Sequence, residues 1–127
     1  MRTLLFIFAG VLLTTSANAQ FFEAWPAKVK FKSKSIDVGS VKKGTVEKIA
    51  FPFINDGTEP LIIAGYKGGT ADINIILPKE PIEPGKKSKI ILEFSASGIG
   101  NFREKIELET NAQKKPIILE LHGTVNK

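Results

Sequence analysis

The stretch "TVEKIAFPFINDGTEP", residues 45–60, decides the fold. Ile49, Phe51 and Phe53 fall on every second position, the period of a strand with one face in a core. Pro52, on the opposite parity, has no N–H to give a ladder, which predicts an edge or a bulge there. From Asn55 to Pro60 the chain gathers Asn, Asp, Gly and Pro, a dense turn signal.

The same grammar continues on both sides. Downstream, "LIIAGY" (61–66) predicts a short buried strand and "KGGTAD" (67–72) a loop. Ile73, Ile75 and Leu77 alternate, and "PKEPIEPGKK" (78–87) is Pro-rich with a Pro-Gly turn. "SKIILEFS" (88–95) sets Ile90, Leu92 and Phe94 on one face. "NFREKIELET" (101–110) does so with Phe102, Ile106 and Leu108; Glu104 shares their register, which predicts a place near a strand end. "PIILELHGTV" (116–125) turns Ile117, Leu119, Leu121 and Val125 inward. Upstream, Val29 and Phe31 open a first strand, but Ile36 and Val38 have the other parity, so the strand kinks or bulges near Ser33 to Ser35. About seven short strands, with turns every ~8–12 residues and no long helix, predict an all-β chain: a single immunoglobulin-like antiparallel β-sandwich. A small open barrel is the alternative.

The N-terminus reads as a leader. Met1-Arg2 is positive, Leu4 to Leu13 is apolar, and Ala17-Asn18-Ala19 is a small-x-small cleavage site. The apolar run is too short for a span of about 20 residues. The expected organisation is a signal peptide over 1–19, an aromatic tail over 20–28 and the sandwich over 29–127. The chain has no Cys, so no lipidated Cys follows the cleavage site and no disulfide forms, although an exported protein could carry one. The expected location is the periplasm, with secretion as the alternative.

The 18 Lys and Arg against 13 Asp and Glu give a net charge of +5; removing Arg2 with the leader leaves +4. Arg103 is then the remaining Arg, and Lys lacks the planar fork that reads phosphates and bases, so nucleic acid is not an expected partner. The catalytic inventory is thin. Absent thiols exclude thiol nucleophiles and thiolate metal sites. His122 is the single His and alternates outward from Leu119 and Leu121, where a strand-surface role outweighs a triad. No enzyme activity, cofactor or metal is expected.

Two features point to binding. In "AKVKFKSK" (27–34), Lys28, Lys30, Lys32 and Lys34 recur every second residue, a cationic stripe on one strand face. Such a stripe protects an open edge from aggregation, or docks an anionic partner, and one chosen partner can use a protected edge. In "YKGGT", Tyr66, Lys67, Gly68 and Gly69 form an exposed aromatic beside a Gly pair, a second candidate contact; the glycines also suit a tight loop with positive φ. Phe21, Phe22 and Trp25 either cover an open edge of the sandwich or insert into a partner with Trp25 as anchor.

"IDVGSVKKG", "FINDGTEPLII", "PKEPIEPGKKSKIILEF" and "PIILELHGTV" together resemble an exported bacterial domain-of-unknown-function family, number fifteen seventy-three, common in Bacteroidetes. That family is similar to the ASH and major-sperm-protein group of immunoglobulin-like sandwiches. The resemblance runs from about Phe31 to Val125. The family usually carries Cys-Gly-Cys-Thr where this chain reads Lys67-Gly68-Gly69-Thr70, so any thiol function of relatives is lost here. The expected function is a non-enzymatic periplasmic accessory protein, monomeric on its own, docking on another envelope protein, with an outer-membrane complex or peripheral contact with an anionic surface as possible settings. The alternatives are a pilus-type chaperone-like peptide binder and a cell-wall carbohydrate-binding module.

Overall fold

The computed structural model describes residues 26–127. The expected signal peptide and the tail aromatics, Trp25 included, lie outside the described residues. In chain order the strands are β1 (Val29–Phe31), β2 (Ser35–Lys42), β3 (Val46–Asn55), β4 (Ile63–Gly68), β5 (Ile73–Ile76), β6 (Lys87–Ser95), β7 (Gly100–Thr110) and β8 (Ile117–Asn126). They form two four-stranded sheets, ordered β1-β3-β6-β5 and β2-β8-β7-β4. The alternating sets become facing layers. Phe51, Ile90 and Leu92 from the first sheet pack against Ile106, Leu108, Leu119 and Leu121 from the second, all fully buried. Each such side chain contributes roughly 1.5–3 kcal/mol of burial. With no Cys in the chain, this core must hold the sandwich together.

The expected first strand is two strands in two sheets, which raises the count from about seven to eight. β1 pairs antiparallel with β3, from Val29↔Asn55 to Phe31↔Phe53. Lys32 N–H still donates to the Pro52 carbonyl at 3.1 Å, yet the Lys34 carbonyl already accepts from Glu120 N–H at 2.8 Å. The chain therefore crosses from one sheet to the other within Lys32 to Lys34. Beyond it, β2 runs parallel to β8, a departure from the all-antiparallel expectation. A bulge between Asp37 and Ser40, with Gly39 at φ 72°, then shifts the inward parity from Ile36 and Val38 to Val41.

Pro52 marks where that crossing happens. It lies in the interior of the sheet, between β1 and β6, rather than on an edge strand. Its backbone faces β1, and Lys32 is the last residue to pair with it. A proline has no N–H to return the bond, so the ladder stops there and the first strand is free to leave.

A buried polar knot ties the two turn signals together. Asn55 is fully buried, and its Nδ2 donates to the carbonyls of Glu59 and Ile82, both at 2.8 Å. Its Oδ1 accepts from Gly57 N–H at 2.9 Å. Leu61 and Ile82 pair as an isolated bridge alongside. The Pro26 carbonyl accepts from Thr58 N–H and Glu59 N–H, and Ala27 is buried, so the start of the described chain is strapped over this turn. A Cβ on Gly57 would lie 2.3 Å from the Pro26 carbonyl oxygen, so only glycine fits under the strap. "LIIAGY" is fully buried at Leu61 alone; Ile62, which precedes β4, is exposed, as are Ala64 and Tyr66 on this edge strand.

Candidate functional site

The lysine stripe is shorter than the sequence suggests. Only Lys30 lies within β1, with Lys28 and Lys32 on its ends, and Lys34 sits on the crossing toward the second sheet. All four are exposed. The Lys28 carbonyl accepts from Asp56 N–H and Lys32 N–H donates to Pro52. Antiparallel alternation therefore turns the backbone of Lys28, Lys30 and Lys32 toward β3 and leaves that of Val29 and Phe31 facing the open edge.

Pairing extends the stripe into a surface the sequence did not disclose. Lys30 stands opposite Ile54, which stands opposite Lys87; Pro52 stands opposite Lys89. Even-numbered residues of β3 and odd-numbered residues of β6 point outward. Ala50, Pro52 and Ile54 thus form an apolar column; Lys30 and Lys32 on one side and Lys87 and Lys89 on the other flank Pro52 and Ile54, Lys28 lies beside Asp56 just beyond them, and Ala50 stands opposite Ile91. The Pro52–Ile54 end of this column lies in a depression of about 370 Å³ lined by Lys30, Phe31, Lys32, Pro52, Phe53, Ile54 and Lys87. None of these lysines is within salt-bridge distance of a carboxylate among the described residues. The one acid pointing outward from this sheet's strands, Glu93, is already held by Lys48 at 3.5 Å and by Asn74 Nδ2 at 2.8 Å. The Asn74 hydrogen bond, ahead of Lys48, keeps its carboxyl below the ordinary value.

The second sheet's outward face differs. Asp37, Glu107, Glu109 and Glu120 are matched there by Lys42, Lys67, Arg103 and Lys105, and Arg103 pairs with Glu120. That surface is charge-balanced; the first sheet's is cationic and apolar.

Tyr66, Lys67, Gly68 and Gly69 lie at the opposite lateral edge, on β4 and the loop to β5, so the structure does not join them to the lysines. Tyr66 is 45% exposed at the rim of the core. The Gly pair is pinned. Gly68 (φ 96°) and Gly69 (φ 84°) take the positive values expected, and a Cβ on Gly68 would lie 2.6 Å from the Lys105 carbonyl oxygen. Thr70 N–H and Oγ1 donate to Glu104 at 3.0 and 2.7 Å. Glu104 is accordingly buried in the middle of β7, not near its end, because its carboxylate clamps this loop. In Lys67-Gly68-Gly69-Thr70, the two glycines and Thr70 are thus the residues that build the turn. A Cβ at Gly69 would meet Ile106 at 3.0 Å.

His122 lies in a polar cleft of about 450 Å³ on the second sheet, beside Asp37, Ser40, Asn101, Arg103 and Thr124. Its Nε2 is 3.8 Å from Asp37 and its Nδ1 3.9 Å from Glu120, too far for hydrogen bonds, and Nδ1 has no partner. Ser40 and Thr124 form no hydrogen bond with it; Thr124 Oγ1 donates to Asn101. Among the described residues no group of three or more His, Cys, Asp and Glu is placed to hold a metal ion.

Comparison with known proteins adds family and fold. A family model described as "Protein of unknown function (DUF1573)" matches residues 29–125. No curated protein matches in sequence. Among solved structures, the chain is similar to the ASH / PapD-like domain 7 of human CEP192 (15% identity, TM-score 0.64, 83% of this chain and 89% of that one). It is similar to a protein of unknown function from Porphyromonas gingivalis W83 (17% identity, TM-score 0.68), covering 77% of this chain and 46% of that one. It also resembles WR4, an MSP family member of C. elegans (12% identity, TM-score 0.54, 77% of this chain and 99% of that one). At these identities the likeness establishes the immunoglobulin-like fold of the ASH and MSP group.

Proposed function

Because the chain belongs to the DUF1573 family, whose description assigns no activity, its role has to be argued from its surface, and we propose that it is a non-enzymatic docking subunit of the bacterial cell envelope. It is exported to the periplasm by the leader read in its sequence and binds another envelope protein. The observation that carries this reading is the imbalance between the two outward faces. One is neutral by matched charge. The other sets unpaired lysines around the exposed Ala50 and Pro52 and the half-buried Ile54, a surface that charge keeps soluble and that an anionic partner with an apolar ridge can cover. Catalysis through His122 has less support, since among the described residues no hydroxyl is hydrogen-bonded to it. Chaperone-like strand addition at the β1 edge is disfavoured by its length: three residues leave the backbone of only Val29 and Phe31 for an incoming strand.

The test is crosslinking and affinity capture of the tagged, processed protein from intact envelopes. One dominant envelope protein, recovered at low salt and reduced at high salt, is the expected result. Recovery of the protein alone at every salt concentration would overturn the docking reading.

A further inference from the structure

We propose that the lysine-walled trough over β3 receives an acidic amphipathic helix of the partner protein, an inference that rests on the docking reading above. Three features of the trough select this occupant. The first is width. β1 and β6 flank β3 on either side, so at about 4.8 Å per strand the two lysine columns stand about 10 Å apart. That is close to the ~10–12 Å diameter of a helix with its side chains. The lysine-walled floor is Pro52 and Ile54, and Ala50, opposite Ile91, carries the apolar surface past the end of β1 to about 14 Å in all, the length of about nine helical residues, enough for apolar side chains at i, i+3 or i+4, and i+7.

The second feature is backbone satisfaction. Around Pro52 and Ile54, β3 is paired with β1 on one side and β6 on the other, so the face offers an extended peptide no free ladder. A helix brings its own hydrogen bonds and needs only side-chain contact. The third is relief. Pro52 and Ile54 lie in a depression walled by Lys30, Lys32 and Lys87. A flat bilayer would meet the ammonium groups first and leave the apolar floor uncovered, whereas a helix ridge reaches it. Carboxylates on both flanks of that ridge would then meet Lys28, Lys30 and Lys32 on one side and Lys87 and Lys89 on the other.

The experiment uses the processed protein and a labelled peptide of about 18 residues, with Leu at helical spacing and Glu on both flanks; this length makes the helix accessible without relying on the protein alone. A second peptide keeps the Leu stripe and carries Lys instead of Glu. Fluorescence anisotropy should show binding of the acidic peptide, weakened more than about tenfold by high salt, and none of the Lys peptide. Lys30→Glu with Lys87→Glu should weaken binding more than about tenfold, while Lys42→Glu with Lys105→Glu, of equal charge change on the other sheet, should leave it within about threefold. Equal losses in both pairs would mean net charge alone and would overturn the trough. So would no binding of the acidic peptide, or binding to phosphatidylglycerol vesicles in its place. Capture of an envelope partner equally by wild type and by the Lys30→Glu, Lys87→Glu protein would overturn the trough while leaving the docking reading standing; capture by neither would overturn that reading itself.

Discussion

Replacing Asn55 by Ala removes the side chain that joins the two turns. It makes three side-chain hydrogen bonds from a fully buried position: two donated to Glu59 and Ile82, one accepted from Gly57. The Ile82 carbonyl keeps the N–H of Leu61, but Gly57 N–H and the Glu59 carbonyl lose this partner. At about 1 kcal/mol net for each bond, with a further penalty where the group left behind stays dry, the loss is about 3–4 kcal/mol. With a urea slope of about 1–1.5 kcal/mol per M for a domain of this size, the midpoint should fall by about 2–4 M. Asn55→Asp supplies the discriminating control. It keeps the acceptor for Gly57 but sets a carboxylate oxygen against two carbonyl oxygens, so at neutral pH it should be at least as damaging as Ala. Urea unfolding followed by circular dichroism reads both. A midpoint shift under about 0.5 M for either variant would refute the knot as a source of stability.

The other predictions concern local contacts. Glu104→Ala should cost about 2 kcal/mol and speed amide exchange at Thr70, because both bonds of the loop clamp go; Glu104→Gln, which retains an acceptor, should cost less. Asn74→Ala should raise the Glu93 pKa toward its ordinary value in an NMR titration. The sign follows from linkage: a lowered folded-state pKa gives stability present above the unfolded value and lost as pH falls through the folded one. The wild type should therefore lose this small contribution only in acid, and the Asn74→Ala protein should keep only the part that Lys48 supplies.

Much of the fold was written in the chain's period-2 spacing. Every inward residue read from "SKIILEFS" and "PIILELHGTV" is buried, because a one-residue slip would have exposed the whole set. The parity break after Phe31 also located the irregularity correctly. What it could not disclose was that the two halves pair in different sheets, since pairing partners are set by tertiary geometry. Pro52 misled for a related reason: a proline requires one unpaired backbone side, and here a departing neighbour provides it within the sheet interior. Glu104 shared the apolar register because its partner, Thr70, is distant in the chain. The trough was hidden in the same way. Lys30 and Lys87 become neighbours only across β3, and although the outward lysines of "KKSK" alternate like those of the first strand, nothing local says that Pro52 and Ile54 lie between them.

The most direct measurement is site-specific photocrosslinking in intact cells. A photoreactive residue would be placed in turn at Ala50 and Lys89 on the first sheet, and at Lys105 and Glu109 on the second. Each of these positions is exposed and outward. Adducts to one envelope protein from 50 and 89, with none from 105 and 109, are what the account predicts. Adducts from the second sheet alone, or from none of the four, would contradict it.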